Sequence, residues 1–289
     1  MGVEVDSVFC NRCRARFPIE DGVANFLHDQ NPVVARERDA VAAMDRNAPD
    51  AVNNPRELLK RFDRGRLDPC HLREYPCLEH ATECRSRLSE LLADHTLGKG
   101  ERVVELGADH CWTSNLLLDG GCQVIAVDIN DHLRLAARAE DPNLCRIVAD
   151  MNHLPLADGT ADVVWATAAV HHSWDLEHTF TEAARVLRRG GRVAFCCEPM
   201  PSWLRYPFGT RFGHVERARG INETWIPRST WLKLCARAGL DGHIVFPTLE
   251  TETIAEKLKR RRLPLSVAPL VKPFLRSLQV SIHLLVTKT

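Results

Sequence analysis

From residue 101 onward the chain alternates short apolar segments with helical ones, and this alternation constrains the fold more than any other feature. Five apolar runs have the length of strands: Arg102–Leu106, Gln123–Val127, Cys145–Ala149, Ala161–Ala166 and Arg192–Cys197. Segments with helical periodicity lie between them, at Thr113–Leu118, His132–Ala139 and Leu176–Leu187. Short apolar strands alternating with helices form βαβ units, whose strands are parallel. The pattern therefore predicts an α/β fold, which a helix at Ser229–Ala238 and a strand at Val280–Val286 extend.

Composition and charge exclude several other classes of protein. The chain has 289 residues, is 45% apolar and carries no net charge, so it has enough apolar content to fold and lacks a broad basic surface for nucleic acid. Its longest apolar run, Val163–Val170, is too short to span a bilayer. No secretory signal is apparent, and several of the 11 cysteines lie in apolar strand-like runs. We expect a cytoplasmic protein with no membrane partner, and binding to nucleic acid is disfavoured.

The chain divides into three zones. Residues 1–30 form a small module that contains a Cys-x-x-Cys pair, and residues 31–98 read mainly as a helical extension or lid interrupted by prolines. Residues 99–289 form the α/β domain, and residues 199–225 are an insertion after its fifth predicted strand. We expect this insertion to act as a lid over a substrate.

Acidic residues stand at the ends of three successive predicted strands. Glu105 precedes a glycine turn at Gly107, Asp128 follows about 20 positions later, and Asp150 ends the next strand. The carboxyl ends of parallel strands meet at one edge of a sheet, where such folds bind ligands. An acidic residue at the second strand end suits ribose hydroxyls, and one at the third can accept a hydrogen bond from an exocyclic amine.

Together these segments resemble a known family. The stretches beginning at Val103, Val124 and Ala149, with Ala169–His172 and Glu182–Val193, are similar to class I S-adenosylmethionine-dependent methyltransferases of the methyltransferase domain 11 type. This resemblance implies a Rossmann-like, seven-stranded class I methyltransferase sheet and S-adenosyl-L-methionine as the cofactor. By the family's pattern the cofactor-binding residues would be Glu105, Gly107, Ala108, Asp109, Asp128, Ile129, Asp150, Met151, Ala166 and His171.

One part of the first loop departs from that family. Asp109 and Cys111 stand where the family usually has glycine. We expect the side chain of Asp109 either to crowd the cofactor or to contact its amino group. The departure also leaves open a domain that binds no cofactor and serves as a regulatory partner.

Two adjacent histidines follow the fourth predicted strand. An imidazole titrates near neutral pH, so His171 or His172 can take a proton from an acceptor hydroxyl or amine. The sequence does not decide which of the two is the catalytic base. Methyl transfer can also proceed without a base, since positioning for in-line displacement supplies much of the acceleration.

Aromatic residues in the insertion predict a substrate pocket. An aromatic-rich loop after the fifth strand suits a partly apolar organic molecule, and Glu198 at the end of that strand can contact its polar part. The predicted substrate-binding residues are Tyr75, Glu198, Trp203, Tyr206, Phe208 and Trp225.

The N-terminal module resembles half of a zinc ribbon. Tetrahedral zinc needs four ligands, whereas Cys10 and Cys13 form one pair with no second pair before them. We therefore expect a degenerate module without zinc, although Cys70, His71, Cys77 and His80 offer further ligands.

The sequence predicts an S-adenosylmethionine-dependent methyltransferase that acts on an O or N nucleophile of a small organic molecule. One alternative is an RNA base methyltransferase, suggested by the zinc-ribbon resemblance and the basic run Lys257–Arg262. Another is a non-catalytic, methyltransferase-like partner protein. The substrate and the oligomeric state are not determined by the sequence.

Overall fold

The computed structural model describes residues 7–11, 14–27, 31–47, 97–136, 138–199, 217–245 and 281–289, together with residues 264 and 266. Within these ranges the chain forms ten strands, four α-helices and two short 3-10 helices. The helices are α1 Pro32–Asn47, α2 Trp112–Asp119, α3 Leu176–Val186 and α4 Arg228–Arg237. The 3-10 helices are Asp131–Leu135 and Val170–His172.

All ten strands belong to one sheet, whose order is β1-β2-β3-β6-β5-β4-β7-β8-β10-β9. The strands are β1 Ser7–Phe9, β2 Arg16–Glu20, β3 Val23–Asn25, β4 Arg102–Leu106, β5 Gln123–Asp128, β6 Leu144–Val148, β7 Ala161–Thr167, β8 Leu187–Pro199, β9 Leu240–Val245 and β10 Ser281–Lys288.

Seven of these strands, β6-β5-β4-β7-β8-β10-β9, form the predicted α/β sheet. Neighbouring strands from β6 to β8 are parallel, whereas β10 runs antiparallel to both β8 and β9. The class I sheet expected from the sequence is confirmed. The three N-terminal strands continue it, because β3 pairs in parallel with the edge strand β6.

The N-terminal hairpin is fixed to the domain through a buried arginine. Arg146 on β6 donates to the main-chain oxygen of Asp21 at 3.0 Å and to that of Leu133 at 3.0 Å. Its neighbour Arg134 donates to the main-chain oxygen and the carboxylate of Glu20. These contacts join the turn between β2 and β3 to the segment after β5.

Large apolar side chains fill the core beside the parallel strands. Phe180 on α3 packs edge-on against Phe195 of β8, with ring centroids 5.5 Å apart, and lies 5.7 Å from Trp231 of α4. All three are almost fully buried, as are the apolar residues of β4. Burial of both faces explains why these strands are continuous apolar runs rather than alternating ones.

The helix predicted at His132–Ala139 is corrected by the structure. A 3-10 helix, Asp131–Leu135, forms instead, and Ala136 has extended backbone angles. The oxygen of Leu133 accepts from the amide of Ala136 and from the Arg146 guanidinium. The Arg146 guanidinium thus joins this 3-10 helix to β6.

No helix within the described ranges is long and apolar enough to cross a membrane. The helices predicted in residues 48–96 lie outside the described residues, whereas α1 falls within the predicted extension.

Candidate active site

A cavity of about 490 Å³ opens where the carboxyl ends of β4, β5, β6 and β7 meet. Strands β5 and β7 flank β4, so the chain order reverses here and two crossover connections leave in opposite directions. Such a switch point is the usual ligand site of an open α/β sheet, and the volume is that of a small-molecule pocket. Helix α1 forms one wall with Val34, Glu37 and Val41.

Gly107 makes the turn after β4 possible. Its φ of +70° lies in the left-handed region, and a Cβ at this position would stand 2.3 Å from the Cβ of Ala169. The amides of Gly107 and Ala108 donate to the oxygen of Val127 at 2.9 and 3.1 Å, which fixes the turn against β5. A glycine here therefore lets the two cavity-lining loops approach each other.

Asp128 ends β5 with its carboxylate in the cavity wall. One oxygen accepts from the amide of Asp109 and the other from the amide of Asn130, each at 2.8 Å. Burial and the nearby charge of Asp109 raise the pKa of Asp128, while the two amides oppose that shift. Each oxygen keeps a second lone pair, so the carboxylate is oriented and can still accept hydrogen bonds from a ligand's hydroxyls.

Asp109 has its carboxylate between two histidines. It accepts from Nδ1 of His110 at 2.7 Å and from Nδ1 of His132 at 2.6 Å, and the two rings stack with centroids 4.3 Å apart. Desolvation opposes the charged form, but these two imidazoles outweigh it and hold the pKa of Asp109 below its usual range. The residue lines the cavity with a left-handed φ of +46°, and its carboxylate is already paired.

Asp150 and Met151, predicted at an adenine site, line the cavity together with Ile129. Trp174, a residue that sequence reasoning missed, also lines the cavity and donates its Nε1–H to Asp150 at 2.8 Å. The other carboxylate oxygen of Asp150 accepts from the amide of Asn152 at 2.8 Å. The sequence signal that could have identified Trp174 is its position, directly after the two histidines and a serine.

Other residues expected at the cofactor do not reach the cavity wall. Glu105 is only 2% exposed, accepts a short hydrogen bond from Ser114 of α2, and has its pKa raised by burial to about 8. The side chains of Ala108 and Ala166 are also buried. Glu105 thus ties the start of α2 to β4, behind the cavity.

His171 lies behind the cavity and is paired with Glu198. Its Nδ1 is 2.9 Å from the Glu198 carboxylate, which also accepts from the amides of Ala169, Val170 and His171. Burial disfavours charge on both groups, but their hydrogen bond outweighs it, raising the pKa of His171 and lowering that of Glu198. The buried ion pair fixes the turn that carries the two histidines.

His172 lines the cavity, and its environment differs from that of His171. Its Nδ1 lies 2.5 Å from the main-chain oxygen of Asn222, so this nitrogen carries the proton and donates it. Burial, together with the charge of His171, lowers the pKa of His172 to about 4. The ring is neutral at pH 7, and Nε2 holds the lone pair.

Two further carboxylates stand near His172. Glu37 of α1 approaches its Nδ1 to 3.7 Å, and Glu223 to 3.8 Å. Glu223 also approaches Nε2 of His171 to 3.5 Å and accepts from Nε1 of Trp225 at 3.0 Å. Glu37 was not predicted, although its spacing from Val34 and Val41 places it on one face of α1.

Two groups of side chains within the described ranges have the spacing of metal ligands. They are Asp109, His110 and His132, and His171, His172 and Glu223. In both groups the imidazole Nδ1 atoms already take part in hydrogen bonds.

Several predicted residues lie outside the described part of the chain. Cys13 is one of them, so a metal-free N-terminal module stays a prediction. The same holds for the predicted substrate residues Tyr75, Trp203, Tyr206 and Phe208. Trp225 is described, and its indole contacts Glu223 rather than the cavity.

The strand order and the acidic strand ends around a switch-point cavity define a class I S-adenosylmethionine-dependent methyltransferase fold. Residues 104–195 match the family model described as a methyltransferase domain. About a third of the chain is thus similar to this methyltransferase domain, and S-adenosyl-L-methionine, the cofactor that the sequence predicted, is the cofactor of that class.

Known relatives are similar over the same region. The chain is 34% identical over 142 residues to the 27-O-demethylrifamycin SV methyltransferase of Amycolatopsis mediterranei, covering 45% of this chain and 51% of that protein. It is 31% identical over 117 residues to the malonyl-[acyl-carrier protein] O-methyltransferase of Erwinia billingiae, covering 40% and 47%. The chain thus spans about half the length of these curated relatives.

Solved structures share the fold at low sequence identity. An S-adenosylmethionine-dependent methyltransferase from Mesorhizobium loti matches with a TM-score of 0.51 and 19% identity, over 65% of this chain and 91% of that one. Geranyl diphosphate C-methyltransferase from Streptomyces coelicolor, solved with Mg²⁺, geranyl-S-thiolodiphosphate and S-adenosyl-L-homocysteine, matches with a TM-score of 0.51 and 20% identity, over 71% and 76%.

Proposed function

We propose that this protein transfers the methyl group of S-adenosylmethionine to a nucleophile of a small organic molecule. The observation that carries the proposal is the arrangement of one cavity. Oriented carboxylates at the ends of β5 and β6 form its cofactor side, and a neutral imidazole, His172, lines it beyond the end of β7.

The cavity residues fit the cofactor. Asp128 is held by two amides with lone pairs left for ribose hydroxyls, and Ile129, Met151 and Trp174 offer apolar surface for a purine. When bound, S-adenosylmethionine supplies a methyl group on a positively charged sulfur. The acidic lining suits that charge, since no lysine or arginine is among the described residues that line the cavity.

His172 acts as the proton acceptor in this proposal. Its Nδ1–H donates to the oxygen of Asn222, which fixes the tautomer and leaves Nε2 without a proton. Asn222 in turn donates its side-chain amide to the main-chain oxygens of His172 and Ser173, each at 2.8 Å. Asn222 therefore contacts both the ring and the main chain of His172. General-base catalysis of this kind contributes about 10²- to 10⁴-fold.

His171 and Glu198 act as positioning residues. The Glu198 carboxylate accepts three consecutive amides of the turn and the imidazole of His171. Neither side chain lines the cavity, so their contribution is to hold His172 in place.

The function is tested by binding and turnover together. We expect titration calorimetry to show micromolar affinity, on the order of −8 kcal/mol, for S-adenosylmethionine and S-adenosylhomocysteine. A panel of amines, phenols and carboxylic acids would then be screened for release of S-adenosylhomocysteine. A folded protein that binds neither cofactor form and releases no product would refute the proposal and favour a non-catalytic partner.

A further inference from the structure

The group of side chains around His171 and His172 contains more carboxylates than imidazolium ions. Glu198 and Glu223 pair with His171, whereas Glu37 and Glu223 approach Nδ1 of the neutral His172. Arg217 is close in space, but its guanidinium donates to the main-chain oxygen of Glu223 at 2.8 Å. One imidazolium thus faces three carboxylates in a largely buried setting.

Glu37 is the carboxylate that faces the cavity. It is 7% exposed, lines the cavity from α1, and accepts from the amide of Asn222. Burial and the neighbouring charges of Asp128 and Glu223 disfavour its ionised form. A buried carboxylate without a full counter-charge is costly, and a cationic ligand removes that cost.

We propose that the methyl acceptor is an amine that enters the cavity as an ammonium ion, with Glu37 as its recognition carboxylate. This inference rests on the proposed methyltransferase function and narrows its substrate class. The ammonium would donate to Glu37, which places its nitrogen next to His172 on the cavity wall. An acceptor carboxylate would meet Glu37 as a like charge, so anionic acceptors are disfavoured.

The reaction balances with these groups. The ammonium held by Glu37 releases one proton to solvent and leaves a neutral amine with a lone pair. The amine nitrogen then attacks the sulfonium methyl carbon; the N–C bond forms as the S–C bond breaks, and the bonding pair stays on sulfur. The products are a methylated ammonium, again suited to Glu37, and S-adenosylhomocysteine.

A divalent metal ion is the competing cation for this cluster. The carboxylates of Glu37 and Glu223 lie on the Nδ1 side of His172, where that nitrogen donates its proton to the oxygen of Asn222. A metal on this side would need Nδ1 as a ligand and would displace that hydrogen bond. An ammonium needs acceptors only, and Glu37 provides them.

The test compares three probes of the same shape against the complex with S-adenosylhomocysteine: benzylamine, benzyl alcohol and benzoate. Dissociation constants would be measured by ligand-observed NMR at pH 8. We expect benzylamine to bind about ten-fold or more tightly than either analogue, the gain typical of a charge-assisted hydrogen bond. In Glu37→Gln this preference should fall to about two-fold or less, whereas Glu177→Gln, on the exposed face of α3, should keep it.

The remaining outcomes all count against the inference. Equal binding of the three probes, binding of benzoate alone, or no binding of any would overturn it. Stoichiometric binding of Zn²⁺ or Mn²⁺ that requires His172 and Glu223, without a preference for benzylamine, would assign the cluster to a metal. Release of S-adenosylhomocysteine from phenols but not from amines would overturn the amine inference and leave the methyltransferase function standing. Failure to bind S-adenosylhomocysteine would refute both.

Discussion

His171 and His172 are neighbours in sequence with ring centroids 4.0 Å apart, yet His172 faces the cavity and His171 lies behind it. The pairing of His171 with Glu198 raises its pKa, and the charge that results helps to lower the pKa of His172. One ring therefore supplies a fixed charge and the other a free lone pair.

Replacing His172 should test its role as proton acceptor. We expect His172→Ala to lower kcat by about 10²-fold or more, because the proton acceptor is lost, with little change in the Kd for S-adenosylmethionine. Steady-state kinetics and calorimetry would check both values. Unchanged kcat would show that positioning alone drives transfer.

The cofactor side is tested at Asp128. Asp128→Asn keeps the shape of the side chain but removes the charge and one acceptor, so we expect the Kd for S-adenosylhomocysteine to rise about ten-fold or more. The control is Asp131→Asn on the same loop, whose carboxylate pairs with Arg38 and is half exposed. Equal affinity of the Asp128 variant and the wild type, measured by calorimetry, would contradict its role.

Much of this arrangement was predictable from the sequence. The strand ends carrying Asp128 and Asp150, and the glycine at 107, followed from local pattern because parallel strands bring their carboxyl ends together. By contrast, Glu37 reaches the cavity only because α1 packs across the strand ends. That contact joins residues far apart in the chain, and local periodicity holds no information about it.

The choice between His171 and His172 was beyond sequence reasoning for a related reason. Both follow β7 in a single 3-10 turn, so one residue's difference in direction decides which ring faces the cavity. The decisive partners, Glu198 and Asn222, come from β8 and the segment after it. Likewise, the hydrogen bond between Asp109 and His132 could not be predicted, because it forms only when the loop after β5 folds back against the turn after β4.

Gly107, in the turn after β4, and Gly100, just before β4, allow a matched pair of glycine substitutions. Both glycines have a positive φ, +70° at Gly107 and +85° at Gly100. The Cβ added by Gly107→Ala would stand 2.3 Å from the Cβ of Ala169, whereas the Cβ added by Gly100→Ala would have no neighbouring atom within 4 Å. We expect Gly100→Ala to cost about 1–2 kcal/mol in free energy of unfolding, from backbone strain alone. Gly107→Ala should cost more than that and should weaken cofactor binding. Urea denaturation would measure both, and equal losses would exclude the steric contribution at Gly107.

The His171–Glu198 ion pair should be visible in the pH dependence of stability. His171 has a raised pKa in the folded state, so its contribution is complete below the unfolded pKa of about 6.5 and is lost as pH rises through the folded value. Glu198 has a lowered folded pKa, so its contribution is present above about pH 4.5 and is lost as pH falls through the folded value. The pair therefore contributes most between about pH 4.5 and 6.5.

Glu198→Gln removes the carboxylate but keeps the size of the side chain. We expect the difference in unfolding free energy between wild type and this variant to be largest near pH 5.5 and to shrink toward pH 9, by urea denaturation across that range. Arg237, whose exposed pair with Glu177 contributes little, supplies the control variant Arg237→Gln, for which the difference should stay small at every pH. A Glu198→Gln difference that is constant from pH 5 to 9 would show that the pair is held as a neutral hydrogen bond instead of an ion pair.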